Sequence, residues 1–109
     1  MWSFKKELAM KYNKLVRDKI PEYIKQNRGN PITHIAAEAE YWQKLKEKLQ
    51  EEVAEFLESE SPEELADILE VIEAICEYKN IDAIVLEQTK SEKAEKRGKF
   101  RDRIILEES

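Results

Sequence analysis

The sequence predicts an all-α protein that folds as one antiparallel helical bundle. Its 2 glycines and 3 prolines provide few of the tight turns that an all-β sandwich needs. Apolar residues recur at helical spacing over residues 37–58 and again over 62–78. The connection between these segments is short, so the two helices should pack as antiparallel neighbours. We expect a single domain over 1–109, with residues 1–9 as an extension before Met10.

The first helix should begin near Asp18, because aspartate is a favourable N-cap residue. Pro21 then falls in the first turn, where its missing N–H does least harm. The apolar side chains share one helical face: Ile20, Tyr23 and Ile24. Gly29 and Pro31 should end this helix.

The second helix, over 37–58, carries one continuous apolar stripe, formed by Trp42, Leu45, Leu49, Val53 and Phe56. The third helix has a clear start: Ser61 as N-cap, Pro62 at the first helical position and Glu64 at the third. It should run to about Tyr78. Its apolar face is formed by Leu65, Ile68, Ile72 and Ile75.

The last helix should run from about Ile81 to Arg97, and Gly98 should end it. Two short segments, 32–36 and 100–106, are strand candidates. They could pair as one minor β-ribbon beside the helices.

The net charge of −5 conceals an uneven distribution. Between Glu51 and Tyr78 there are 11 acidic residues and no lysine or arginine, whereas the rest of the chain holds 13 acidic and 19 basic residues. An acidic centre between two basic arms predicts a cation in the middle and suits an anion at its edges. We do not expect nucleic-acid binding, because the chain is acidic overall and its basic C-terminal part is interleaved with acids.

Several classes of protein are excluded by residues that the chain lacks. A lone cysteine, Cys76, cannot form an intrachain disulfide framework or a cysteine zinc site. The single histidine, His34, rules out the paired Glu-x-x-His motifs of a di-iron bundle. No apolar run approaches the roughly 18 residues of a membrane span, so we expect a cytoplasmic protein with no membrane partner. Without a Walker A loop, phosphate would have to be held by a metal and by lysine or arginine.

Each of the two central helices carries a pair of acids at the core-facing edge of its apolar stripe. On a helical wheel with about 100° per residue, Glu52 and Glu55 form this pair on the second helix. Glu64 and Asp67 form it on the third. The short connection should bring both pairs to the same end of the bundle, with Glu51 just off this edge.

Four carboxylates at one place need compensation. Two unit charges about 4 Å apart repel by roughly 4 kcal/mol at an effective dielectric constant of 20. Some carboxylates could be protonated, a distant segment could supply cations, or a divalent metal could bind. A set of oxygen ligands suits Mg²⁺, with Mn²⁺ as a substitute, better than Zn²⁺ or Cu²⁺. Each acid taken alone also has an ordinary explanation, since Glu64 fits a capping box and a single glutamate is usually solvated.

The acids also match a known signature. Glu51-Glu52-Val53-Ala54-Glu55, followed by Glu64-Leu65-Ala66-Asp67, resembles the EExxE…ExxD signature of the all-α nucleoside triphosphate pyrophosphohydrolases, the MazG-like superfamily. The segment 12–21 looks like the start of its phosphoribosyl-ATP pyrophosphohydrolase-like house-cleaning branch. The segments 96–100 and 104–106 look like the close of that branch, so the resemblance covers most of the chain.

The resemblance implies Mg²⁺-dependent hydrolysis of a nucleoside triphosphate, standard or damaged, or of a related nucleotide, to the monophosphate and pyrophosphate. The residues that match the metal ligands of the family are Glu52, Glu55, Glu64 and Asp67. Glu51 is the candidate for positioning or deprotonating the attacking water. The candidates for phosphate contacts are the cations of the two arms: Lys14, Arg17, Lys19, Lys96 and Arg97.

The resemblance also implies a homodimer or a higher homo-oligomer, since such short helices usually complete their bundle with a second copy. Two alternatives to an enzyme remain on the same scaffold. One is a regulator that binds metal and nucleotide without turnover. The other is a helical interaction module in which the acid pairs only cap helices and keep the surface polar.

Overall fold

The computed structural model describes residues 13–109, and all of the regular structure in this range is α-helical. Four helices follow one another: α1 (Ile20–Gln26), α2 (Glu38–Ser59), α3 (Pro62–Lys79) and α4 (Ala83–Arg97). The all-α prediction is confirmed for this part of the chain. The expected extension, residues 1–9, lies outside the described residues. No helix within 13–109 is both long enough and apolar enough to cross a bilayer.

The chain divides into two compact units. The first ends at Ile75, and the second is Cys76–Ser109, so the boundary falls near the end of α3. The expectation that both units belong to one domain stays a prediction.

The two central helices begin and end within one residue of the predicted positions. A connection of two residues, Glu60 and Ser61, joins α2 to α3. Pro62 opens α3, and the Glu64 N–H donates to the carbonyl of Ser61 (3.2 Å). Because so short a connection reverses the chain, the end of α2 and the start of α3 lie side by side.

The predicted N-cap of α1 is wrong. Lys19, rather than Asp18, occupies the N-cap position, and no side-chain hydrogen bond caps the helix. The backbone already turns there, because the Ile20 N–H donates to the Arg17 carbonyl (3.0 Å). Pro21 lies in the first turn as predicted.

The start of α4 also differs from the prediction. It begins at Ala83 rather than near Ile81, because the Asp82 side chain caps it by accepting the Ile84 N–H (2.7 Å). Gly98 ends α4 as predicted, with a φ of +85° that favours glycine.

Three other helices end on residues that are not glycine yet have left-handed backbones. Arg28, Glu60 and Asn80 have φ values of +68°, +55° and +56° after α1, α2 and α3, respectively. At the end of α2, for example, the Glu60 N–H donates to the Phe56 carbonyl (2.7 Å). A left-handed residue with a side chain costs about 1–2 kcal/mol, so these ends depend on the packing of the helices that they close.

The predicted β-ribbon is wrong. Residues 32–36 and 100–106 contain no strand, and Ile32 and Ile35 are almost fully exposed. Neither segment alternates apolar and polar residues for long enough to favour a half-buried strand. The second is also broken by a turn, in which Arg103 (φ +59°) donates its N–H to the Phe100 carbonyl (3.3 Å).

The core lies between α2 and α3. Leu45 (1% exposed) and Val71 (7%) are the buried apolar residues of the described chain, and Glu52 (5%) and Glu64 (8%) are its buried charged residues. The predicted apolar stripes are only partly buried, since residues such as Val53 on the far side of α2 are exposed. The buried face is therefore turned toward the acid pairs, and both helices present glutamates to the core.

Candidate metal site at the turn between α2 and α3

The four predicted metal ligands fall into two groups of carboxylates that share Glu52. Carboxylate oxygens of Glu52, Glu64 and Asp67 lie within 4.8 Å of one another. A second group with the same spacing consists of Glu51, Glu52 and Glu55. Glu52 belongs to both groups and so lies at the centre of the cluster. The pairing of Glu52/Glu55 on α2 with Glu64/Asp67 on α3 follows from the short connection between these helices.

Glu52 is the most buried of these acids. Its Oε1 is 3.2 Å from the Lys48 ammonium, whereas its Oε2 is buried and accepts no hydrogen bond from any residue within 13–109. Leaving a buried carboxylate oxygen without a donor costs about 1–3 kcal/mol, more when the group is charged. This oxygen of Glu52 is therefore a free acceptor, to which a proton or a cation could bind.

Glu51 is held between two lysines. Its Oε2 lies 3.0 Å from the Lys14 ammonium and 3.3 Å from that of Lys48. Burial raises the pKa of Glu51, but the hydrogen bond from Lys14 and the charges of both lysines outweigh burial, so the pKa lies below its ordinary value. The helical wheel placed Glu51 just off the edge that carries the acid pair, and the structure makes it part of the cluster.

Asp67 is paired with a cation from the segment before α1. The Arg17 guanidinium donates to Asp67 Oδ1 (2.8 Å), and its other terminal nitrogen is 4.0 Å from Glu70. Lys14 and Arg17 thus connect the N-terminal segment to α2 and α3, respectively. Of the three ways to compensate the acids, supply of cations from a distant segment is therefore present.

The environment of Glu52 favours the second form of compensation, which is protonation of a carboxylate. Burial raises the pKa of Glu52, a hydrogen bond with Glu55 raises it further, and the charge and hydrogen bond of Lys48 only partly offset this. Among residues 13–109, Lys14, Arg17 and Lys48 bring their positive charges to Glu51, Asp67 and Glu52, respectively.

These charged groups surround a pocket of about 220 Å³ in the first unit. Acids lie beside cations along its wall, so the pocket presents donors and acceptors to the same ligand. The lining residues are Lys14, Arg17, Ile20, Lys48, Glu51, Glu52, Glu55 and Asp67.

The predicted phosphate contacts divide into two sets. Lys14 and Arg17 line the pocket, whereas Lys19 is exposed at the N-cap of α1. Lys96 and Arg97 lie in the last turn of α4, in the second unit, and are exposed. The roles of all five stay predictions.

Sequence reasoning missed Lys48. It lies just outside the lysine-free window that begins at Glu51, so the charge count assigned it to a basic arm. The signal was present in the spacing, because Lys48 precedes Glu51 by three residues and Glu52 by four, and both separations place side chains together on a helix.

The raised pKa of Glu52 predicts how stability depends on pH in EDTA. The folded protein retains a proton on Glu52 above pH 4.5, where the unfolded chain has released it. This contribution to stability is present below that pH and is lost as the pH rises through the folded-state pKa. Glutamine resembles the protonated acid, so the Tm of Glu52→Gln relative to wild type should rise between pH 4 and pH 8. A thermal unfolding series checks this, and a difference independent of pH would contradict it.

Comparison with known proteins gives one short match and no family. No protein-family model matches the chain, and no solved structure matches it. A stretch of 41 residues is 49% identical to an uncharacterized protein of Mycolicibacterium smegmatis (strain ATCC 700084 / mc(2)155). The match covers 38% of this chain and 42% of that protein, so the chain spans less than half of the relative's length.

Proposed function

We propose that this chain is a cytoplasmic, Mg²⁺-dependent pyrophosphohydrolase with a MazG-like bundle. It would convert a nucleoside triphosphate, or a related nucleotide, into the monophosphate and pyrophosphate. The observation that carries the proposal is the convergence of acid pairs from α2 and α3 beside a pocket that Lys14 and Arg17 also line. Acids alone are typical of a solvated surface, whereas cations in the same pocket add the donors that a phosphate chain needs.

The residues at the site suit Mg²⁺. Their ligand atoms are carboxylate oxygens, which hard cations such as Mg²⁺ and Mn²⁺ prefer. The buried Oε2 of Glu52, which has no hydrogen-bond donor within 13–109, supplies an acceptor for such an ion. The residues that would hold the metal are Glu52, Glu55, Glu64 and Asp67. When bound, Mg²⁺ would neutralise phosphate charge and favour ionisation of a nearby water.

Glu51 would orient the attacking water. Its lowered pKa keeps the carboxylate ionised, so it can accept a hydrogen bond from water at neutral pH. A lowered pKa also makes it a weak base, which favours positioning of the water over removal of its proton. Lys14 and Arg17, which lie beside the acids in the pocket, would donate to the phosphates. Lys19, Lys96 and Arg97 are retained as further candidates.

The test is Mg²⁺-dependent release of pyrophosphate from a panel of standard, deoxy and oxidised triphosphates and phosphoribosyl-ATP. We expect release from at least one of these, and its loss in EDTA. Thermal stabilisation by a nucleotide without product would instead favour a non-catalytic regulator. An unchanged Tm with Mg²⁺ and Mn²⁺ would favour a helical interaction module, because a ligand that binds the folded state raises its stability.

We also propose that the chain acts as a homodimer or a higher homo-oligomer. The face of α2 and α3 that turns away from the acids is apolar and exposed: Val53, Leu57, Leu65 and Leu69. Leu57 is 70% exposed and Leu69 is 66% exposed, although both lie next to the core elements of the first unit. Exposed apolar side chains of this number on two neighbouring helices favour an interface with a second chain.

Charged substitutions on this face should therefore reduce the size of the assembly. For Leu57→Glu and Leu69→Glu we expect a smaller species than wild type by light scattering coupled to size exclusion. Burying a charge in an apolar interface without a partner costs several kcal/mol, enough to dissociate a dimer at micromolar concentration. Glu58→Gln, next to Leu57 on the exposed side of α2, is the matched control. A monomeric wild type would refute the proposal.

A further inference from the structure

Lys48 is the most buried of the three cations in the pocket. Its side chain is 16% exposed, against 29% for Lys14 and 54% for Arg17. Its ammonium lies 3.2 Å from Glu52 Oε1 and 3.3 Å from Glu51 Oε2, so one cation connects the candidate water-positioning residue to the central candidate metal ligand.

Its neighbour on the same helix shows what an ordinary lysine does there. Lys44, one turn earlier, is 25% exposed, pairs with the exposed Glu47 (3.2 Å) and is not among the described residues that line the pocket. An exposed pair of this kind is worth only a few tenths of a kcal/mol. Lys48 instead holds its charge within the acid cluster, at the cost of desolvation. Helix stability alone therefore does not account for where its ammonium lies.

Glu52 cannot keep its full ion pair with Lys48 while it also binds a metal ion. It belongs to both groups of converging carboxylates, so a cation bound by either group draws on its oxygens and repels the ammonium beside them. Once displaced from Glu52, the ammonium keeps Glu51 as a partner (3.3 Å) and has an N–H donor to spare in a pocket of about 220 Å³. A polyphosphate entering that pocket supplies acceptor oxygens.

We propose that Lys48 is a phosphate-binding residue that exchanges partners: it neutralises Glu52 in the metal-free protein and binds the polyphosphate of the substrate once a divalent ion occupies the acids. This inference rests on the metal site of the proposed function. Under this inference, binding of the metal and binding of the polyphosphate favour each other. The metal takes Glu52 and so releases Lys48, and the polyphosphate takes Lys48 and so releases Glu52.

The test uses Lys48→Met, with Lys44→Met as the matched control and two probes that need no turnover. Mn²⁺ alone, followed by calorimetry, should bind Lys48→Met about threefold more tightly than wild type or more, because a competing charge is gone. Inorganic tripolyphosphate, titrated at saturating Mg²⁺, should bind Lys48→Met about tenfold more weakly, the effect of losing one charge-assisted hydrogen bond. Lys44→Met should match wild type in both titrations, and Lys48→Arg should recover most of the tripolyphosphate affinity.

A merely structural Lys48 would give the opposite sign with the metal, because a disordered site binds Mn²⁺ more weakly. That result, or an unchanged tripolyphosphate affinity, would overturn the inference, as would a wild type that binds neither probe. If the titrations behave as expected but no nucleotide releases pyrophosphate, the hydrolase proposal fails and the assignment of Lys48 stands. If nucleotides turn over and Lys48→Met binds both probes like wild type, only the assignment fails.

Discussion

Glu52→Gln should lower Mg²⁺-dependent pyrophosphate release by at least about a hundredfold. Changes to groups that merely orient metal ligands typically cost about 10–100-fold in metal affinity or activity, and Glu52 is a candidate ligand itself, shared by both carboxylate groups. Glutamine keeps the size of the side chain but not its charge, so the metal loses its central anionic partner. Pyrophosphate release at saturating nucleotide, measured over a range of Mg²⁺ concentrations, checks this.

The stability of Glu52→Gln should increase, although its activity should fall. In EDTA at neutral pH the variant should unfold at a higher temperature than wild type, because a neutral amide replaces a carboxylate whose pKa burial has raised. The increase in Tm that Mg²⁺ gives wild type should be lost. Glu58→Gln, an exposed change on the same helix, should leave activity and Tm unaltered. A Glu52→Gln protein with wild-type turnover would remove Glu52 from the site.

A gain in stability together with a loss of activity is the expected property of a functional site. A fold selected for stability alone would place an apolar residue at position 52, in the same buried face as Leu45. The carboxylate is kept at a cost to the stability of the metal-free protein, and under the proposed function a bound cation would offset that cost. Opposite signs in the two measurements would therefore separate a metal ligand from a residue that only supports the fold.

Helical periodicity and helix-start residues predicted the fold well where they were strong. The stripe from Trp42 to Phe56 and the Ser61-Pro62 start placed α2 and α3 to within a residue. The left-handed backbone of Glu60 was harder to foresee than that of Asn80, because asparagine is common at such helix ends and glutamate is not. Side-chain capping by Asp82 was overlooked, although its type is favourable at that position.

The sequence predicted those parts of the candidate site that depend on helical spacing within α2 and α3. Spacing alone placed Glu52 and Glu64 at the core, and the short connection brought them together. The pairing of Lys14 with Glu51 and of Arg17 with Asp67 spans 37 and 50 residues, so no local pattern could reveal it. The buried face covers only part of the predicted stripe of α2, since Leu45 is buried whereas Val53 is exposed.

The largest expected loss of stability follows from Leu45→Ala. Leu45 is 1% exposed, and only one other apolar side chain among residues 13–109, Val71, is buried. Removing a buried leucine side chain costs about 2–5 kcal/mol, through lost burial and the cavity that remains. Native domains are stabilised by only about 5–15 kcal/mol, so the variant should be close to unfolding. Urea denaturation at one fixed protein concentration measures the difference.

Leu106→Ala makes the same chemical change on an exposed residue and should stay within about 0.5 kcal/mol of wild type. Leu45→Met, which conserves the volume of the side chain, should lower the free energy of unfolding by less than about 1.5 kcal/mol. Leu45 lies two turns before Glu52 on the same buried face of α2. Mg²⁺ should therefore restore part of the stability lost in Leu45→Ala, because binding favours the folded site. Equal stability of Leu45→Ala and wild type would show that the core of this fold lies elsewhere.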